Sequence, residues 1–240
     1  MNNKIKKILK KKNKSKIVCL TAYSKNIAEI VDDHADIVLV GDSLGSVLYN
    51  YDTTRKVSLN MMIEHTKSAR MGVKKSLLVI DLPYNTYRNK SEALKNSKRS
   101  IKETKCDAVK VEGGTRVKEI VKHLVKNRIP VLGHIGITPQ TTKGKFRSKG
   151  KNEGEKRKLL KDAQDLEQSG AFGIVLECIY SDISKQITNS INIPTIGIGA
   201  SVNCDGQVLV TDDLIGLNET KFRFVKKFGN IKTNIKSAVI

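Results

Sequence analysis

Short apolar runs in this 240-residue chain repeatedly end in ionisable side chains. Residues 37–40 lead into Gly41-Asp42-Ser43, 76–80 lead into Asp81, and 108–111 carry Lys110 and lead into Glu112. The run 130–133 ends in His134, and 173–176 ends in Glu177. A single acid at such a place commonly caps the turn that follows. A whole series is harder to explain structurally, because gathering buried carboxylates costs free energy unless a cation or a reaction uses them. Asp42, Asp81 and Glu112 form an oxygen-only donor set with no cysteine ligand nearby, which suits Mg2+ rather than structural zinc. Lys110 and Glu112 have one residue between them, so on a strand both leave from the same face. Lys110 can then neutralise an anionic substrate beside the metal. Glu177 stands apart as a candidate base, and His134 as a substrate-orienting residue.

Such residues need strands to carry them. The runs 17–21, 37–40, 76–80, 108–111, 130–133, 173–176, 195–198 and 207–210 predict strands. Helical spacing predicts helices over 25–34, 59–71, 90–103, 116–127, 155–169 and 181–190. Alternation of strand and helix implies parallel β/α architecture, and eight strands favour a closed (β/α)8 TIM barrel over an open doubly wound sheet. Active sites of such barrels sit at the C-terminal strand ends, where these ionisable residues fall. The gap before 207–210 is too short for a full helix. Residues 141–156, rich in Lys and Gly, read as a long loop that either covers the barrel mouth or is a plain surface insertion. The chain is expected to form one catalytic domain over residues 1–240.

The net charge is +20, but the lysines are scattered and lack interleaved aromatics, so a solvated basic surface explains them better than nucleic-acid binding. No apolar run approaches the roughly 20 residues of a membrane span, and no apolar segment of a leader follows the basic start. Cys19, Cys106, Cys178 and Cys204 form no CxxC pair and read as reduced thiols of a cytoplasmic protein. Gly197-Ile198-Gly199-Ala200 is too short a signature for a dinucleotide site, and its small residues are expected to permit close backbone approach.

Several longer strings are more specific. They include Val40-Gly41-Asp42-Ser43-Leu44-Gly45, Asp81-Leu82-Pro83-Tyr84 and Val109-Lys110-Val111-Glu112-Gly113-Gly114. Gly133-His134-Ile135-Gly136-Ile137-Thr138-Pro139-Gln140, Val175-Leu176-Glu177-Cys178 and Asp205-Gly206-Gln207-Val208-Leu209-Val210 follow in order. Together they resemble the ketopantoate hydroxymethyltransferase family over roughly residues 17–228. The resemblance implies a barrel of the phosphoenolpyruvate/pyruvate type. It also implies transfer of a hydroxymethyl group from 5,10-methylenetetrahydrofolate to 3-methyl-2-oxobutanoate, giving 2-dehydropantoate for pantothenate synthesis.

By the same resemblance Asp42 and Asp81 hold Mg2+, and Glu112 joins them directly or through water. Asp42, Ser43, Asp81 and Lys110 bind the α-keto acid, Glu177 accepts the proton, and the protein is a homo-oligomer, in the family a homodecamer. Three departures accompany it. Asp212 stands where the family usually has His, before Asp213. The segment 144–151 replaces a GGYKVQGR-like loop and is about two residues shorter. The end near residues 238–240 lacks the family's C-terminal helical tail. Lys145, Arg147, Lys149 and Lys151 of the loop are expected to attract the anionic glutamate tail of folate. The loop of related lyases with a reactive Cys has no match, because Lys105-Cys106-Asp107 lacks the Gly-His that follows there.

Overall fold

Side chains alternate along each strand, and the two sets pack into two separate cores. Cys19, Leu39, Val79, Leu132, Val175 and Val208 belong to one, inside a barrel. Val38, Val40, Leu78, Ile80, Val109 and Val111 belong to the other, between barrel and helices. The computed structural model describes residues 2–142, 147–219 and 222–240. Strands β1 (Ile17–Thr21), β2 (Ile37–Val40), β3 (Leu77–Asp81) and β4 (Ala108–Glu112) are followed by β5 (Val131–Gly136), β6 (Gly173–Glu177), β7 (Thr195–Ile198) and β8 (Gly206–Leu209). They close in sequence order into an all-parallel barrel, with β8 pairing back on β1.

Around it run α1 (Asn3–Lys10), α2 (Lys25–Asp32), α3 (Leu44–Tyr49), α4 (Leu59–Gly72) and α5 (Lys90–Thr104). Then come α6 (Lys118–Lys126), α7 (Glu153–Gln168), α8 (Ser181–Ser190), α9 (Thr211–Leu214) and α10 (Ile231–Val239). Side-chain oxygens of Ser58, Asn89 and Asn152 accept amide protons in the first turns of α4, α5 and α7, which fixes where those helices start.

Two details of the lower half hold the strands in register. Ile5 and Ile8 of α1 join the interior core beside Ile17, Ile37 and Leu77, closing the N-terminal end of the barrel. Asp32 accepts the amides of Lys74, Lys75 and Ser76 at 2.8, 2.9 and 2.8 Å, setting the entry of β3. Burial works against its charge, yet these three amides hold its carboxyl below the usual range.

The strands and helices depart from expectation in specific places. β5 runs on to Gly136 because Ile135 and Gly136 pair with Leu176 and Glu177, so His134 lies inside the strand rather than at its end. Gly136 has φ +103°, and a Cβ there would stand 2.2 Å from the Glu177 carbonyl oxygen. Only glycine allows this close approach. The helix predicted over 116–127 begins with a 3-10 turn, Thr115–Val117, and α7 starts at Glu153, shortening the expected loop. No helix separates β7 from β8. α10 was not among the expected helices; its Ile231, Ile235 and Val239 recur at one-turn spacing. α1, α3 and α9 are too short or too lysine-rich to stand out as helices in the sequence.

Candidate functional site

The inward parity that fills the interior also aims the ionisable residues. Leu77 and Val79 point inward, so Asp81 does; Ala108 does, so Lys110 and Glu112 do. The same rule takes Leu132 to His134 and Val175 to Glu177. Asp42 and Ser43 follow on the turn between β2 and α3. All seven residues line one cavity of about 1220 Å3 at the C-terminal end of the barrel.

The centre of the cluster is Lys110. Its Nζ lies 2.6 Å from Asp81 Oδ2 and 3.9 Å from Glu112 Oε1. Asp42 is adjacent, its amide 3.4 Å from Asp81 Oδ2. Burial raises the Asp42 carboxyl well above its ordinary range, and the Asp81 charge adds to this. Asp81 is also raised by burial, with Lys110 opposing and Glu112 reinforcing. Glu112 feels the same burial, but His134, Lys110 and the Gln140 amide keep it below the usual range. Burial disfavours the Lys110 charge too, yet Asp81, Glu112 and Asp42 together hold it above an ordinary lysine.

His134 bridges this cluster to the rim. Its Nδ1 lies 3.4 Å from Glu112 Oε1 and its Nε2 lies 3.2 Å from Glu177 Oε2, neither aligned as a good hydrogen bond. Burial and Lys110 disfavour its cationic form, but the two carboxylates outweigh them and push it up to about 9. Glu177 keeps contact with solvent, its side chain 24% exposed against 2% for His134. Ser43 stands slightly aside, its Oγ 2.8 Å from the Tyr23 hydroxyl.

The donor chemistry fits a divalent cation. Asp81 Oδ1 and Glu112 Oε1 are buried without a hydrogen-bond partner, an expensive state for carboxylate oxygens. Among the described residues no three His, Cys, Asp or Glu side chains form a ready-made ligand group. Mg2+ does not require one, since it commonly takes one or two carboxylates and completes its octahedron with water and substrate oxygens.

Four residues of the site were not singled out from the sequence. Gln140, Tyr87 and Arg55 interlock behind the carboxylates, and Tyr23 holds Ser43. Gln140 and Tyr23 had a signal, as the last residues of the GHIGITPQ and Leu20-Thr21-Ala22-Tyr23 strings. Asp212 is buried at the start of α9, and burial together with Asp213 raises its carboxyl; Asp213 lines the cavity. In the basic loop Arg147 pairs with Glu155 at 3.1 Å, and Lys149 is tied by its backbone to Cys178 and Tyr180. Gly144, Lys145 and Phe146 lie outside the described residues. Gly199 has φ +57°, and a Cβ there would meet the Phe224 ring at 2.7 Å, in keeping with the close approach expected of that segment. All four cysteines are free, and among the described residues no helix is long and apolar enough to cross a membrane.

Comparison with known proteins bears on the family and the fold. The 3-methyl-2-oxobutanoate hydroxymethyltransferase of Pelagibacter ubique is 60% identical over 240 residues, covering 100% of this chain and 93% of that protein. The enzyme of the same description from Rhizobium etli is 48% identical over 227 residues, 93% of this chain and 83% of its own. Among solved structures, phosphonopyruvate hydrolase in complex with oxalate and Mg2+ superposes with TM-score 0.65 at 10% identity, covering 99% of this chain and 84% of that one. Phosphoenolpyruvate phosphomutase from Streptomyces platensis subsp. rosaceus gives 0.66 at 9%, covering 98% and 84%. At such identities the likeness shows the fold alone, a (β/α)8 TIM barrel. The profile of ketopantoate hydroxymethyltransferase matches residues 2–240, and the chain belongs to that enzyme family.

Proposed function

We propose that this enzyme transfers a hydroxymethyl group from 5,10-methylenetetrahydrofolate to 3-methyl-2-oxobutanoate, forming 2-dehydropantoate in the pantothenate pathway of the cytoplasm. One observation carries the reading: three inward carboxylates surround Lys110 at the barrel mouth, with Glu177 at the rim. The reaction needs a proton taken from the carbon beside a ketone, and an environment that accepts the resulting negative charge.

Asp42 and Asp81 would hold Mg2+, with Glu112 directly or through water, and the ion supplies Lewis-acid stabilisation of charge on the keto oxygen. Lys110 binds the substrate carboxylate or keto oxygen side by charge, and Ser43, oriented by Tyr23, donates its hydroxyl proton to the same group. Glu177 takes the C3 proton. The C–H electron pair becomes the C2=C3 bond, and the ketone oxygen takes the charge. C3 then bonds to the methylene carbon as one folate C–N bond breaks. Water adds its oxygen to that carbon as the second C–N bond breaks. Tetrahydrofolate leaves with its two nitrogens protonated, one by the proton held on Glu177 and one by that of the water. His134, fully buried between Glu112 and Glu177, is better placed to orient the Glu177 carboxylate than to meet substrate.

The upper cavity wall supports a flat aromatic co-substrate. Phe222 and Phe224 stack with centroids 5.5 Å apart and line the same cavity, which is large for an α-keto acid alone. Homo-oligomer formation belongs to the same proposal; exposed Phe228, Ile235 and Val239 on and beside α10 support it.

The test is exchange of the C3 hydrogen of 3-methyl-2-oxobutanoate with solvent deuterium, followed by NMR with Mg2+ and without folate. The parent enzyme exchanges it, and Glu177→Gln abolishes the exchange while binding of the keto acid persists. Undiminished exchange in that variant removes Glu177 as the base.

A further inference from the structure

Every polar group of Gln140 is committed. Its side-chain Nε2 donates to Asp42 Oδ2 at 3.0 Å and to the Leu82 carbonyl at 3.0 Å. Its Oε1 accepts the Tyr87 hydroxyl at 2.5 Å. Its backbone amide donates to Glu112 Oε2 at 3.1 Å, and its carbonyl accepts Arg55 Nε at 2.9 Å. The residue is wholly buried. A buried amide that satisfies two acceptors and a donor at once has a single orientation, since a flip would set its oxygen against Asp42 Oδ2 and the Leu82 carbonyl.

The partners come from four neighbouring strands on one side of the cavity mouth. Asp42 follows β2, Leu82 and Tyr87 follow β3, Glu112 ends β4, and Gln140 itself follows β5. The turn that presents it is closed by the amides of Thr141 and Thr142 on the Thr138 carbonyl, at 2.9 and 2.8 Å. Arg55 reaches over from the 3-10 turn Thr54–Lys56, bonds to the Thr142 carbonyl as well, and packs on the Tyr84 ring. The backbone of Gln140 therefore has no more freedom than its side chain.

One consequence concerns the two carboxylates it touches. Gln140 takes up Oδ2 of Asp42 and Oε2 of Glu112, one oxygen from each. On Glu112 the other oxygen, Oε1, is left buried without a hydrogen-bond partner on the side of Lys110 and His134. Resting on the metal-binding reading above, we propose that Gln140 is a positioning residue that fixes the rotamers of Asp42 and Glu112, so that one oxygen of each remains directed at the divalent-cation position. Tyr87 is the clasp that prevents the amide from flipping.

Partners of metal ligands typically govern affinity by about 10–100-fold. The experiment uses the full chain without substrate or folate. Mn2+ is titrated in as a stand-in for Mg2+, and the free ion is followed by electron paramagnetic resonance. The variants are Gln140→Met, which keeps volume and removes all side-chain hydrogen bonds, and Tyr87→Phe, which removes the clasp together with the longer 3.4 Å bond from the Glu112 amide to the same hydroxyl. Gln140→Met is expected to raise the Mn2+ Kd about 10–100-fold, and Tyr87→Phe by about threefold to tenfold. Metal-free thermal midpoints are recorded alongside, because a purely structural role would lower them and leave Kd unmoved. An unchanged Kd in Gln140→Met overturns the inference. Should that variant not fold, an unchanged Kd in Tyr87→Phe does so. If the parent itself binds no Mn2+, the metal reading falls; if the parent binds and both variants match it, only the role of Gln140 falls.

Discussion

Replacing Lys110 by Met tests the electrostatic centre of the cavity. Lys110 Nζ is 2.6 Å from Asp81 Oδ2 and 3.9 Å from Glu112 Oε1, and all three side chains are almost completely buried. At an effective dielectric of about 20, those separations correspond to roughly 6 and 4 kcal/mol of attraction. The desolvation of a buried ammonium, several kcal/mol, offsets much of this. What remains on deleting one partner is the cost of an uncompensated buried carboxylate, about 3–5 kcal/mol. Methionine fills the space of the lysine stem, so a cavity adds little. Urea unfolding of metal-free protein at neutral pH, followed by circular dichroism, should show that loss. For a chain of this length it corresponds to a fall in Tm of roughly 6–20 °C. Adding Asp81→Asn removes the orphaned charge and should restore part of the stability, with a coupling of about 1 kcal/mol or more. If Lys110→Met is as stable as the parent, or if the double variant is no better than the single, the ion-pair reasoning fails.

Further expectations concern the lower half of the barrel. Asp32→Asn should cost about 1–3 kcal/mol at neutral pH, because three amides lose a charged acceptor. The Asp32 carboxyl is depressed in the folded state. Its stabilisation is therefore present above about pH 4 and lost as pH falls through the folded value, so parent and variant should converge in acid unfolding curves. Ile8→Ala, which empties the plug under the strands, should cost about 2–5 kcal/mol in urea titration and leave keto-acid affinity unchanged.

Strand identity and facing were legible because a strand repeats every second residue. Val109-Lys110-Val111-Glu112 states its own two faces, and the structure keeps Lys110 and Glu112 on the inward one. His134 shows where that local rule stops. Its strand continues to Gly136 only because β6 lies beside it and Gly136 tolerates the Glu177 backbone, which no window of β5 alone contains. The α1 plug was hidden for a related reason: lysines dominate its composition, and Ile5 and Ile8 acquire meaning only under an open barrel end.

Side-chain alternation and strand succession are local properties, so the order of residues along the chain dictates which residue types reach the barrel mouth and in what succession. The tertiary structure alone decided how those charges are shared. Lys110 takes Asp81 as its closest partner, His134 bridges Glu112 and Glu177, and Gln140 holds Asp42 and Glu112 from behind. These pairings join residues separated by up to 98 positions, and closure of the barrel is what brings them within hydrogen-bonding range.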